Sequence, residues 1–118
     1  MRTAAVPAVV LLVALAAVPL QADARSDAKK QVEFGIAVAQ RGLWREAIYR
    51  WERAAQIDPS YAPAHNNLAI AYEHEGDLAK ARTAYERALE LEPNNALIKQ
   101  NYELFREIND RTTRQSAQ

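Results

Sequence analysis

Residues 62–95 read APAHNNLAIAYEHEGDLAKARTAYERALELEPNN, and residues 28–61 read AKKQVEFGIAVAQRGLWREAIYRWERAAQIDPSY. Laid one over the other without a gap, they agree at Ala28/Ala62, Ile36/Ile70, Ala37/Ala71, Gly42/Gly76, Ala47/Ala81, Glu52/Glu86, Arg53/Arg87, Ala54/Ala88 and Pro59/Pro93. Two amphipathic helices alike by chance would agree at Leu and Glu. These agree mostly at small residues and turn formers, where backbones approach closely or a helix has to stop. The chain therefore carries one structural unit twice. A unit this short cannot bury its apolar face alone and must stack on its copy, which leaves a long open surface rather than an enclosed cavity.

Each unit divides at its glycine. Gly42 and Gly76 supply the left-handed exit that ends a helix, and the Asp58-Pro59 and Glu92-Pro93 pairs stop the helix that follows. The pattern predicts first helices over Ala28–Arg41 and Ala62–Glu75, and second helices over residues 44–57 and 78–91, the latter capped by Asp77. Past Asn95 the phase continues for one more helix, Ala96–Arg111. Its third, seventh and tenth residues, Ile98, Tyr102 and Phe105, suit packing on the second unit. The residues that would meet a further helix are Lys99, Glu103 and Arg106. Charge at those places makes this helix a cap, and residues 112–118 read as a frayed polar tail. The fold class is all-α, an α-α superhelix of two helix-turn-helix repeats plus a capping helix.

The residues resemble the tetratricopeptide repeat family, whose pattern is a large residue, Leu-Gly and Tyr on a first helix, then Ala, an aromatic, Ala and Pro on a second. The second copy matches with His65, Leu68, Ala69, Tyr72, Ala81, Tyr85, Ala88 and Pro93. The first matches with Gln31, Phe34, Gly35, Val38, Ala47, Trp51, Ala54 and Pro59. The large opening residue is replaced in both copies, by Gln31 and His65.

The resemblance implies a concave face lined by the first helices, with their second, fifth, ninth, twelfth and thirteenth residues turned into it. Carried over, these include Lys29, Val32, Ile36 and Gln40 in the first copy. In the second they include Asn66, Ile70, Glu73 and His74, with Asn67 beside them, and on the cap Gln100, Leu104 and Ile108. Ile36, Ile70 and Leu104 lie 34 residues apart, so stacking would align them as a row. That row either meets apolar side chains of a bound peptide, with Asn66, Asn67 and Gln100 offering amides to its backbone, or belongs to the edge of the core. Some family members grip a C-terminal carboxylate with Lys and Asn. Here Val32 and Ile36 fill two of those places and only Asn67 matches, so no such clamp is implied.

Arg2 followed by the uncharged run Ala4–Leu20 and by Ala22-Asp23-Ala24 has the order of a signal peptide cut after Ala24. This reading places residues 25–111 as the repeat domain, exported to the bacterial periplasm, or held on a membrane if the segment is not cut. Fifteen basic and fifteen acidic residues give zero net charge, which argues against nucleic acid as a partner. The absence of cysteine rules out disulfides, thiolate metal sites and a thioether-linked lipid.

His65 and His74, nine residues apart on one helix, point to opposite faces and cannot share a metal. No serine has a neighbouring His to activate it. These residues indicate a non-enzymatic scaffold without cofactors, binding a protein or peptide. Self-association through the uncovered face of the first helix is the alternative.

Overall fold

The computed structural model describes residues 2–5 and 20–118. Residues 6–19, the apolar heart of the expected signal peptide, lie outside them. The described chain forms five helices: α1 (Leu20–Gln40), α2 (Trp44–Ile57), α3 (Ala62–His74), α4 (Leu78–Leu91) and α5 (Ala96–Ser116). Helices α1 with α2 and α3 with α4 make two antiparallel hairpins, α2 also packs on α3, and α5 closes against α4. The architecture is the all-α solenoid that the repeat predicts.

The turns follow from the residues that mark them. Gly42 and Gly76 both take φ of 78°, a conformation that strains any residue with a Cβ. Asp77 caps α4 by accepting a hydrogen bond from the Lys80 amide at 3.2 Å, and Asn95 does the same for α5 with the Ile98 amide at 3.2 Å. Two boundaries differ from expectation. Helix α1 begins at Leu20 rather than Ala28, so the expected cut after Ala24 falls within it, and α5 continues to Ser116 through most of the tail. Neither extension contains a glycine or proline to stop it.

The core is made largely of alanine: Ala28, Ala47, Ala54, Ala62, Ala64, Ala69, Ala71, Ala81, Ala84 and Ala88 are all buried. Alanine brings helix axes close together, and the space left at each hairpin is filled by one aromatic from its second helix. In the first hairpin that residue is Trp51, buried, with its indole N–H donating to the Val32 carbonyl at 3.1 Å. Its ring lies so close to Gly35 that a Cβ there would sit 2.7 Å from Trp51 Cδ1. In the second hairpin the same two places hold Tyr85 and Ala69: a smaller ring and a larger neighbour.

The ends of the stack differ. The third, seventh and tenth positions of the first helices are buried in α3 as Ala64, Leu68 and Ala71, whereas in α1 they are Lys30, Phe34 and Ala37, all exposed. Phe34 is partly covered by the Arg50 guanidinium, 4.3 Å from its ring centre. On α5, Ile98 and Phe105 are buried and Phe105 meets Tyr85 with ring centres 5.4 Å apart. Lys99, Glu103 and Arg106 face solvent, as a cap requires.

An unforeseen junction ties the start of α1 to the connection between the repeats. Arg25 Nε donates to Asp58 Oδ2 at 2.5 Å, its Nη2 donates to Ser60 Oγ at 3.1 Å, and its guanidinium lies 5.0 Å from the Tyr61 ring centre. Ser60 donates to Asp58 through both its amide and its hydroxyl. Burial opposes the charge on Asp58, but the hydrogen bonds from Arg25 and Ser60, together with the Arg25 charge, outweigh it and hold the carboxyl below its ordinary 3.8. No local pattern announces this contact, because the partners lie 33 residues apart.

Gly35→Ala gains helix propensity of about 1 kcal/mol but drives a methyl into the indole; a net loss of about 1–3 kcal/mol is expected in urea unfolding, relieved in part by adding Trp51→Tyr. Because the Asp58 pKa is depressed on folding, its contribution is present above the unfolded value and lost as pH falls through the folded one. Acid unfolding of Asp58→Asn and of Arg25→Ala should therefore converge with that of the wild type below the carboxylate range, while both variants are less stable than it at neutral pH.

Candidate partner-binding groove

Between α1 and α3 the stack leaves a concavity of about 320 Å³, lined by Ile36, Ala39, Gln40, Trp44, Trp51, Asn67 and Ile70. Its position follows from the repeat: the two first helices lie side by side, and the second helix of the first hairpin closes the floor between them. Ile36 and Ile70, at matching places in the two copies, form opposite walls. Gln40 and Asn67 supply its side-chain amides, and no charged side chain lines it. Trp44 carries the His74 imidazole stacked on its indole, ring centres 4.1 Å apart and planes 22° from parallel.

The structure brings together only part of the predicted set. Ile36, Gln40, Asn67 and Ile70 converge in this groove. Val32 does not: it is buried between α1 and α2 at 4% exposure, and its carbonyl holds the Trp51 indole. Asn66 is also buried, at 6%, and its Oδ1 accepts a hydrogen bond from Asn101 of α5 at 3.3 Å. It joins the cap to the second repeat instead of presenting an amide to a ligand. Both stand at the fifth position of a first helix, and in both that position is taken up by packing, beneath the Trp51 indole in α1 and against α5 in α3.

Glu73 is half-buried, and its Oε2 accepts from the Tyr85 hydroxyl at 2.9 Å. Burial, then the Glu73 hydrogen bond and charge, push that hydroxyl well above its ordinary range. Tyr72 makes the corresponding bond to Glu52 of α2 at 3.0 Å, and burial followed by Glu52 raises its pKa to about 12. These carboxylates therefore anchor tyrosines across helices. His74 lies stacked on Trp44 at the groove's edge. Lys29 points to solvent beside Glu33, 4.0 Å away. Gln100, Leu104 and Ile108 are exposed on α5, outside the groove. The expected row of three apolar residues is thus a pair in the groove and a separate stripe on the cap.

The tryptophans Trp44 and Trp51 were not predicted as groove residues. The repeat pattern marks Trp51 as a core residue, and Trp44 opens a helix outside the inner face; only hairpin closure carries them to the floor. His65 Nε2 lies 2.8 Å from the Pro59 carbonyl, fixing the connection before α3. Among the described residues no three His, Asp or Glu side chains converge as metal ligands.

Helical hairpins stacked in phase, with an inner concave wall and a charged cap, define an α-solenoid of the protein-interaction class. The chain carries tetratricopeptide repeats: a model of the tetratricopeptide repeat matches residues 62–95, and a second model of the repeat matches residues 35–76. Such repeats generally mediate protein–protein interaction.

The chain is 33% identical to the type IV pilus assembly protein PilF of Pseudomonas aeruginosa over 86 residues, covering 71% of this chain and 34% of PilF. It is 32% identical over 65 residues to the chloroplastic tetratricopeptide repeat domain-containing protein PYG7 of Arabidopsis thaliana, covering 55% of this chain and 22% of that one. Against the protein O-mannosyl-transferase TMTC1 of Mus musculus it is 34% identical over 67 residues, 57% of this chain and 7% of the relative. The chain thus spans about a third of PilF and less of the other two relatives.

Asn66→Ala removes the partner of Asn101 from the α3–α5 contact. It should cost about 1–3 kcal/mol of stability and leave binding in the groove unchanged, as titration with any captured partner would read.

Proposed function

We propose that this chain is an exported, non-enzymatic adaptor that binds a segment of a protein partner in the groove between α1 and α3. The observation that carries the reading is that Ile36, Gln40 and Ile70, which the family resemblance places on the inner face, and Asn67 beside them meet in one concavity over two tryptophan rings. Such a site takes an apolar side chain between the isoleucines and bonds the peptide backbone through two amides. With no cation in its lining it selects an internal segment rather than a terminal carboxylate. The likeness to a pilus assembly protein is in keeping with a part played inside an assembly rather than in chemistry.

Export rests on the order of residues 1–24: a basic start, an apolar run and small residues at the cut. Among the described residues no helix is long and apolar enough to cross a membrane. Cleavage after Ala24 makes Arg25 the first residue of the mature chain, and the whole junction with Asp58, Ser60 and Tyr61 stays on the retained side. The signal therefore leaves with every side chain of that junction on the mature chain, and residues 25–111 remain as the binding domain in the periplasm.

A photoreactive residue at position 70, introduced in the native host, should crosslink one partner identifiable by mass spectrometry. Ile36→Ser with Gln40→Ala should weaken capture of that partner by roughly tenfold or more. Because both side chains are exposed at the groove wall, thermal unfolding should move by only a few degrees. Loss of stability with capture intact would return the isoleucine pair to the core and defeat the reading.

A further inference from the structure

The stripe by which a first helix packs on the hairpin before it is open in α1, and its residues differ in kind from those of the other copies. In the second repeat the stripe holds Tyr61, Ala64, Leu68, Ala71 and Glu75, with Ala64, Leu68 and Ala71 buried. The same places in the first repeat are Asp27, Lys30, Phe34 and Ala37 of α1 and Arg41 just past its end, all exposed. Phe34 is 47% exposed, so its ring forgoes the burial that Leu68 gains at the matching place.

Asp27 and Arg41 stand seven residues before and seven residues after Phe34. At 100° per residue that sets them about 20° to either side of the ring on one face, and about 10.5 Å from it along the axis in opposite directions. A stripe with opposite charges at equal distances from its middle is complementary to itself when turned end for end. The repeat does not carry this arrangement: the matching residues are Tyr61 and Glu75 in the second copy and Asn95 and Asn109 on the cap. It belongs to the one first helix that no hairpin covers. Arg41 makes no ion pair among the described residues, and Asp27 has only Lys30, at 3.8 Å in an exposed pair that solvent screens. Arg50, 4.3 Å from the Phe34 ring centre, is held by Glu46 at 2.9 Å, so the cation nearest the ring is already neutralised.

We propose that α1 pairs antiparallel with α1 of a second copy of this chain, about a two-fold axis at Phe34. The two rings meet at the axis. Each Asp27 faces Arg41 of the other copy and lies between that guanidinium and its own Lys30. One face meets its own image, so the contact is isologous and closes at two copies. Ile36 lies about 160° round α1 from Phe34, which leaves the α1–α3 groove open in both copies, and the pair presents two such grooves at once.

Sedimentation of the full chain across a wide concentration range tests this. The wild type should pass from monomer to dimer and no further. Asp27→Arg and Arg41→Asp each set like charges against each other in both halves of the contact and should weaken association by roughly tenfold or more, as should Phe34→Ser. All three residues are exposed, so circular dichroism should be unchanged. An equimolar mixture of Asp27→Arg with Arg41→Asp should dimerise as tightly as the wild type, because both ion pairs are restored between unlike chains. Ile36→Ser with Gln40→Ala should dimerise as the wild type does, which separates this contact from the groove. A chain that stays monomeric at every concentration overturns the proposal. So do species that grow beyond the dimer, a dimer indifferent to both charge variants, or a mixture that fails to recover.

Discussion

One contact sets the spacing of everything else: an aromatic ring on the second helix of each hairpin pressed against a small residue on the first. Trp51 needs Gly35 beneath it, and Tyr85 stands over the place where the chain has Ala69. The exchange of ring size for side-chain volume keeps the two hairpins nearly alike in thickness, and like-shaped hairpins can stack in phase. The surrounding alanines contribute little apolar area each, so their value lies in how closely they let backbones approach. A core of this kind tolerates lost methylenes poorly and added ones no better, because close packing leaves no slack to absorb either.

Stacking also explains the unequal ends. Every first helix has one stripe for its own hairpin partner and another for the hairpin before it. In α3 both are buried. In α1 the second stripe is open, and Arg50 lies over its largest ring; in α5 the first stripe is open and carries charge. The polar junction of Arg25 with Asp58 and Ser60 braces the open end by joining the first turns of α1 to the connection that leads into α3. It does by directed hydrogen bonds what the alanine core does by fit.

Concavities arise where this packing leaves space. Between α1 and α3 the gap is uncharged and floored by tryptophan, suited to an apolar side chain on an extended segment. Beside α4 the gap is apolar and edged by cations. Carboxylates near both are occupied in bonding tyrosines, Glu52 with Tyr72 and Glu73 with Tyr85, and those bonds cross helices rather than face a ligand. Those polar side chains hold helices in register, and what the α1–α3 gap leaves uncovered is apolar shape and two side-chain amides.

The repeat, the five helices, both glycine turns, the proline stops and the charged cap were legible in the sequence. Each depends on local conformational preference or on a period of 34 residues, and both are written in residue order. Ile36, Gln40 and Ile70 were legible through the family resemblance, which places their repeat positions on the inner face, with Asn67 beside them. Tertiary structure decided the rest. Whether an inward position is a wall or part of the core depends on how far apart neighbouring helices sit, and that distance is a sum over many contacts; it buried Val32 and Asn66 and brought Trp44 and Trp51 to the floor. The Arg25–Asp58 junction depends on a meeting of residues 33 apart that no periodicity encodes. Sequence determined which elements form and in what phase they repeat; the closeness of their packing determined which side chains remain free to bind.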